Sequence, residues 1–240
     1  MPDRKIKVAL IVFNNVELLD FAGPLEILSI AADPPFSTTH PPFPPSSTTT
    51  TPDPSRLIFD ITLLSETPTF TTSNGRGTTM HRDADIFSPA GAPSHYDVVL
   101  VPGGSGSRAE MRNLPLLEWL QEFAASGATG DGRRKMLMSV CTGSLILAAA
   151  GLLDGVRAAT HHAARALLAE AVEGAYGRAE VVAERVVWGA VKGVDVVTCG
   201  GVSSGIDAAL EVVRVLAGEA CARGTAEWIE YEWKAPEMVG

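Results

Sequence analysis

Lys135-Met-Leu-Met-Ser-Val-Cys-Thr-Gly-Ser-Leu-Ile-Leu-Ala-Ala-Ala-Gly-Leu-Leu153 is the stretch around which the rest of the chain can be interpreted. Its first residues are apolar and predict a short buried strand. The leucines and alanines that follow predict an apolar helix. The stretch therefore predicts a strand that passes through a sharp turn into a helix, with Cys141 at the turn.

The position of Cys141 favours a reactive thiol. The first turn of a helix offers unpaired backbone N–H groups, and the helix dipole favours negative charge there. A cysteine so placed is expected to have a lowered pKa, and the N–H groups can receive charge that develops on a substrate. The layout resembles the nucleophile elbow of hydrolases, although Ser139 stands where that motif has glycine. The alternative is that Cys141 is a small buried core residue.

The composition argues against several classes of protein. The 240 residues are 46% hydrophobic, and a net charge of −9 argues against a nucleic-acid-binding surface. No apolar run reaches membrane-spanning length, and the N-terminus lacks the features of a signal peptide. The three cysteines are widely spaced, which favours a reduced, cytoplasmic location. No ligand spacing indicates a metal site, and no cofactor is expected.

The first half of the chain contains two further segments of interest. Ile6 to Phe13 is nearly continuous in apolar residues and predicts a buried parallel strand. Gly23-Pro24 predicts the start of the next helix and leaves Asp20 just before it, where an N-terminal cap is the default interpretation. A second buried strand, Asp97 to Val101, is followed by Gly103-Gly104. The backbone N–H groups of these two glycines can approach a ligand closely. The alternative is that the pair forms an ordinary tight turn.

Residues 34–55 differ in composition from the rest of the chain. They contain half of the 16 prolines, and most of the other residues are serine or threonine. Such a segment forms neither a helix nor a central strand, and it has too few apolar groups to build a core. The composition predicts a low-complexity surface loop inserted after the first helix.

The second half contains a histidine pair and a possible helix cap. His161 and His162 are adjacent, so on a regular element one faces a site and the other faces solvent. A buried histidine can also be a satisfied core residue with no part in chemistry. Ser204 and Asp207 have the spacing of a capping box at the start of a long helix, with aspartate in place of the usual glutamate or glutamine.

The alternation of strands and helices predicts an α/β sandwich around a mainly parallel sheet. In such sheets, ligands bind at the carboxyl ends of the strands. Cys141 and Gly103-Gly104 lie at such ends, and the loop that carries Asp20 follows another. We therefore expect these three features to meet in one cleft.

Several segments also carry a resemblance to a known family. They are Leu18-Leu-Asp-Phe-Ala-Gly-Pro-Leu-Glu-Ile-Leu28, Asp97-Val-Val-Leu-Val-Pro-Gly-Gly104, Ser139-Val-Cys-Thr-Gly-Ser144, Ala148-Ala-Ala-Gly-Leu-Leu153, Ala159-Thr-His161 and Gly200-Gly-Val-Ser-Ser-Gly-Ile-Asp207. With these segments the chain resembles the DJ-1/PfpI superfamily, and in particular its isonitrile (isocyanide) hydratase branch. The resemblance implies a flavodoxin-like fold, a single domain over residues 1–240 with an insert at 34–55, and a homodimer.

The resemblance also implies roles for individual residues. Cys141 matches the family nucleophile, and Asp20 matches the acidic residue that faces it. Gly104 and Thr142 match positions whose backbone N–H groups line the site, and His161 matches the position of the family's histidine. The expected catalytic residues are Cys141, Asp20 and Thr142, and the expected substrate-binding residues are Gly103, Gly104 and His161.

The activity that the resemblance implies is hydration of an isonitrile, a small molecule, to an N-substituted formamide through a thioimidate on Cys141. A second possibility is glyoxalase or amidase-like activity, which the aspartate at position 20 disfavours. A third is a redox sensor whose cysteine stops at a sulfenic or sulfinic acid. A ligand-sensing domain of the AraC type is disfavoured because the chain ends at Gly240, without room for a DNA-binding module.

Overall fold

The computed structural model describes residues 5–33, 35, 55–73, 77–130, 132–175 and 177–234. The predicted surface loop at 34–55 therefore lies almost entirely outside the described residues. The strands are β1 (Ile6–Ile11), β2 (Phe59–Ser65), β3 (Thr69–Thr71), β4 (Thr79–His81), β5 (Ala84–Asp85), β6 (Val98–Val101), β7 (Met136–Ser139), β8 (Arg157–Ala158), β9 (Glu180–Val181), β10 (Val186–Val191) and β11 (Val194–Cys199). The α-helices are α1 (Leu18–Ile30), α2 (Ser107–Glu110), α3 (Leu114–Ala125), α4 (Gly143–Ala149), α5 (Arg165–Gly174), α6 (Ser204–Ala217) and α7 (Glu219–Trp228).

Seven of the strands form one sheet, in the order β10-β11-β7-β6-β1-β2-β5. Its neighbouring strands are parallel except β10 and β11, which are antiparallel. The central strands β6 and β7 are buried along their whole length, as expected for strands covered on both faces. The order β2-β1-β6-β7-β11 is that of a flavodoxin-like sheet. The predicted α/β sandwich with a mainly parallel sheet is therefore confirmed.

The helices pack in two groups. One group contains α1, α6 and α7, and the other contains α2, α3, α4 and α5. The apolar side chains of the sheet and of both groups form one buried hydrophobic cluster. None of the helices in the described part of the chain has the length and apolarity that crossing a bilayer requires.

The start of α1 differs from the prediction. The helix begins at Leu18, so Gly23-Pro24 lies inside it and Asp20 lies in its first turn. Proline has no N–H group and cannot donate to the carbonyl of Asp20, four residues earlier. The Asp20 carboxylate does not act as the expected N-cap either, because the residue that precedes the helix is Glu17.

The Gly23-Pro24 pair instead permits a close contact between α1 and α6. A Cβ atom on Gly23 would lie 3.0 Å from Cγ1 of Ile206, and one on Gly205 would lie 3.2 Å from Cγ of Pro24. Both distances are tighter than ordinary van der Waals contact. The glycines are therefore needed for packing between helices that lie far apart in the sequence.

The predicted capping box of α6 is also wrong. The helix begins at Ser204, and no side chain caps its first turn. Asp207 accepts hydrogen bonds from Nε of Arg185 at 2.5 Å and from the hydroxyl of Tyr231 at 3.1 Å. Its carboxylate therefore connects α6 to the loop before β10 and to the segment after α7.

Candidate active site

Cys141 lies between the end of β7 and the start of α4, as the sequence predicts. Its φ of 56° is in the left-handed region, and its amide donates to the carbonyl of Gly200 at 3.0 Å. A non-glycine residue at positive φ is uncommon and is often found at functional sites. The Cys141 carbonyl accepts from the hydroxyls of Thr160 at 2.9 Å and Ser144 at 3.1 Å. These contacts fix the backbone of the turn that carries the thiol.

The residue after Thr142 must be glycine for a steric reason. A Cβ atom on Gly143 would collide with the carbonyl oxygen of Val101, at the end of the neighbouring strand β6. The Cys-Thr-Gly sequence therefore lets α4 begin directly against the sheet.

Asp20 is the acid of this site. Its side chain is completely buried, and Oδ2 accepts from the amide of Gly103 at 3.0 Å. Oδ1 is also buried and has no partner among the described residues within normal hydrogen-bonding distance. Burial raises the pKa of the carboxyl from an ordinary 3.8 to about 7, while interactions with the Gly103 amide and the Cys141 thiol act in the opposite direction. Asp20 is therefore an acid that changes its protonation state near neutral pH.

The expected lowering of the Cys141 pKa is wrong for this site. The side chain is only 6% exposed, and burial raises the pKa of its thiol to about 12, with the negative charge of Asp20 as the second cause. The amide and the hydroxyl of Thr142 both lower that pKa, but by less. Desolvation therefore outweighs the helix start, and the resting thiol holds its proton.

Gly103, Gly104 and Thr142 lie together at the end of β6. The amide of Gly103 donates to Asp20, and the amide of Gly104 donates to Oγ1 of Thr142 at 3.0 Å. A Cβ atom on Gly103 would lie 2.5 Å from both the amide nitrogen and Oγ1 of Thr142. Two of the amides expected to face a substrate are thus paired with side chains of the site itself.

His161 lies at the edge of this cluster. Its ring packs so closely against Gly201 that a Cβ atom there would overlap it, and its Nδ1 accepts from the amide of Ala163 at 3.3 Å. The rings of His161 and His162 lie 4.2 Å apart. The two side chains nevertheless differ in environment, as the sequence predicts: His161 is half-buried against Gly201, whereas His162 is exposed. Burial and the charge of His162 lower the pKa of His161.

Three residues of the site were not anticipated from the sequence. Val202 has a φ of 52°, which is a strained conformation for a β-branched residue, and its amide lowers the pKa of Asp20. The charge of Glu17 raises that pKa, and its carboxylate accepts from Ser73 at 2.8 Å. Ser107 is fully buried, and its Oγ lies 3.0 Å from Oγ1 of Thr142. The only sequence signal for Val202 is its position after two glycines at the end of a strand.

The candidate site around Cys141 does not lie in the cavity between α5 and the strands β8 and β9. A cavity of about 410 Å³ lies between α5 and the paired strands β8 and β9, and it shares no residue with the cluster around Cys141. Its side chains are mostly exposed, and Arg157 already pairs with Glu180 and Glu184. We place the candidate site at Cys141 because a buried thiol, a carboxyl with a perturbed pKa and backbone donors meet there.

Comparisons with known proteins identify the family to which the sequence is similar. The sequence profile of the DJ-1/PfpI family matches residues 6–215. The chain is 37% identical to an isonitrile hydratase of Pseudomonas putida over 135 residues, which are 56% of this chain and 52% of that protein. The chain thus matches only about half the length of that curated relative.

Solved structures of the family share the architecture. A ThiJ/PfpI family protein from Pseudomonas syringae is 24% identical, with a TM-score of 0.70 over 99% of this chain and 79% of that chain. DJ-1beta of Drosophila melanogaster is 16% identical, with a TM-score of 0.69 over 96% of this chain and all of that one. These similarities concern the fold.

Proposed function

Since this chain belongs to the DJ-1/PfpI family, we propose that it is an isonitrile hydratase, a lyase that adds water to an isonitrile and forms an N-substituted formamide. The observation that carries the proposal is the buried pair of Cys141 and Asp20, in which the carboxyl has a pKa of about 7. An acid with that pKa can both accept and return a proton at neutral pH. The partial identity to a named isonitrile hydratase supports the choice of substrate class.

The first step is attack by Cys141 on the isonitrile carbon. The thiol is neutral at rest because its pKa is raised, so the ionised fraction of Asp20 takes its proton as the S–C bond forms. A buried thiolate then does not have to exist before the substrate arrives. The amide and the hydroxyl of Thr142, which already favour the thiolate, stabilise the sulfur as it loses the proton.

The second step transfers that proton from Asp20 to the former isonitrile carbon, which gives a thioimidate, R–N=CH–S–Cys141. Oδ1 is the oxygen suited to this transfer, because Oδ2 is held by Gly103 and Oδ1 has no hydrogen-bond partner among the described residues. Asp20 is again ionised and can remove a proton from water that adds to the thioimidate carbon. The C–S bond then breaks, nitrogen and sulfur end with one proton each, and R–NH–CHO leaves. The sum is one isonitrile and one water to one formamide.

Gly103, Gly104 and His161 have supporting roles in this proposal. The Gly103 amide orients Asp20, and the Gly104 amide orients Thr142, so both act on the substrate through a side chain. His161 borders the site through Gly201 and has no hydrogen bond to Cys141 in the described part of the chain. It is proposed to shape the entrance rather than to transfer a proton.

An assay with a simple alkyl isocyanide tests the proposal. Formation of the N-alkyl formamide should be abolished in Cys141→Ala and retained in Cys221→Ala, which removes another buried thiol from a different part of the fold. Asp20→Asn should lose most of the activity, because asparagine cannot take the thiol proton. Full activity of Cys141→Ala would refute the mechanism. Turnover of methylglyoxal but not of the isocyanide would favour the glyoxalase alternative.

We also propose that the protein is a homodimer, as the family resemblance implies, and that it is cytoplasmic, as its three widely spaced cysteines favour. Light scattering coupled to size-exclusion chromatography should give twice the mass of one chain, 25.2 kDa. A monomer at micromolar concentration would refute this part of the proposal without affecting the chemistry at Cys141.

A further inference from the structure

Ser107 carries a buried hydroxyl group beside the site, and the reaction proposed above does not use it. It is the first residue of α2 and is completely buried. Its Oγ lies 2.8 Å from the carbonyl oxygen of Gly104 and 3.0 Å from Oγ1 of Thr142. It therefore contacts the two residues that border Cys141 on the β6 side, without contacting Cys141 itself.

The hydrogen bonds around Gly104 decide where the Thr142 proton can go. The Gly104 carbonyl oxygen has two lone pairs, and Ser107 supplies two donors: its amide at 3.2 Å and its hydroxyl at 2.8 Å. The Thr142 hydroxyl lies 3.2 Å from the same oxygen, as far as the Ser107 amide and farther than the Ser107 hydroxyl, so it is a third donor for two lone pairs. With Ser107 present, the carbonyl is already satisfied.

Thr142 has a single hydroxyl proton. Its oxygen accepts from the Gly104 amide at 3.0 Å, which fixes the oxygen and leaves the proton free to rotate. The competing acceptors are the Gly104 carbonyl, the oxygen of Ser107 and the sulfur of Cys141. A charged acceptor forms the stronger hydrogen bond, so a thiolate attracts the proton once the carbonyl is occupied.

We propose that Ser107 is a positioning residue, which occupies the Gly104 carbonyl and thereby directs the Thr142 hydroxyl to the sulfur of Cys141. This rests on the proposed function and deepens it, because a sulfur that is stabilised as it loses its proton is a more accessible nucleophile. The Thr142 hydroxyl does lower the pKa of Cys141, as the inference requires. The other titratable groups that act on or near the thiol are Asp20 on α1 and Cys199 on β11, and no hydrogen bond joins either of them to Ser107 within the described residues.

Alkylation of Cys141 by iodoacetamide tests the inference without any isonitrile. Losing a hydrogen bond to the thiolate in Ser107→Ala should raise the thiol pKa by about one unit, which reduces the thiolate about tenfold at any pH below the pKa. A more basic thiolate is intrinsically more reactive, and this recovers about half of the tenfold loss on a logarithmic scale. The expected result is a rate about threefold lower across the neutral and mildly alkaline range, with mass spectrometry locating the label on Cys141.

A double-mutant cycle separates this role from a structural one. In a Thr142→Val background the hydroxyl is gone, so adding Ser107→Ala should change the rate no further. Ser65→Ala, which removes another buried serine hydroxyl at the end of β2, should leave the rate unchanged. Should Ser107→Ala not fold, Ser107→Cys retains a weaker donor and should give an intermediate decrease.

Two outcomes would overturn the inference. One is an unchanged alkylation rate in folded Ser107→Ala or Ser107→Cys. The other is an equal decrease with and without the Thr142 hydroxyl, which would mean that Ser107 acts by packing alone. A wild-type protein that hydrates no isonitrile but shows the predicted alkylation pattern would refute the proposed function and leave the role of Ser107 standing.

Discussion

Asp20→Asn should change how the stability of the protein depends on pH. The carboxyl has a pKa of about 7 in the folded protein and an ordinary value of 3.8, so it binds more protons when folded than when unfolded between these values. The folded state therefore loses stability as the pH rises through this interval. Three pKa units, at about 1.4 kcal/mol each, give a loss of about 4 kcal/mol. Because the side chain is completely buried, solvent does not reduce this figure appreciably.

The measurement is the free energy of unfolding in urea for wild type and Asp20→Asn across the range from about pH 5 to about pH 8. Between these limits the linkage relation gives a decrease of about 2.5 kcal/mol in wild type relative to the variant. Asparagine retains an acceptor for the Gly103 amide, and any cost of its new amide donors is independent of pH. The difference between the two proteins also cancels titratable groups that they share.

A flat difference would refute the reasoning. If wild type and Asp20→Asn kept the same separation from about pH 5 to about pH 8, the carboxyl would be ionised throughout in both folded and unfolded protein. Desolvation would then not control Asp20, and its use as a proton carrier near neutral pH would lose its basis.

Three further predictions concern residues near Asp20 and Cys141. Glu17→Gln removes a charge that raises the pKa of Asp20. In the same urea experiment, the free energy of unfolding of this variant should therefore level off at a lower pH than that of wild type. Gly103→Ala places a Cβ atom 2.5 Å from Thr142, and the free energy of unfolding should fall by about 1–3 kcal/mol, with a loss of isocyanide turnover. Cys199 is completely buried and its pKa is raised, so mass spectrometry should find it unlabelled by iodoacetamide until urea unfolds the protein.

The sequence predicted those parts of the site that depend on local pattern. The apolar periodicity changes within a few residues at Cys141, and this change predicts the strand–helix junction there. Asp20 and Gly103 were expected nearby because the carboxyl ends of parallel strands meet at one edge of the sheet. Both expectations needed only the order of elements, which the sequence pattern carries.

The parts that were missed or wrong depend on contacts between distant segments. Gly23-Pro24 has the signature of a helix start, but the contact with α6 accounts for it. The helix start at Cys141 argued for a low thiol pKa, whereas burial by the rest of the fold raises it. The backbone of Val202 and the hydroxyl of Ser107 act through single atoms whose positions no periodicity specifies.

The contact between α1 and α6 also bears on when the site forms. Asp20 and Val202 come from opposite ends of the chain, and α6 follows Cys141 by about sixty residues. Contacts of such long sequence separation close a large loop and form slowly. During synthesis, Cys141 leaves the ribosome well before α6 exists, and until then the helix that carries Asp20 lacks the helix against which it packs most extensively. The full packing around the acid and the thiol therefore depends on a segment that is made after both of them.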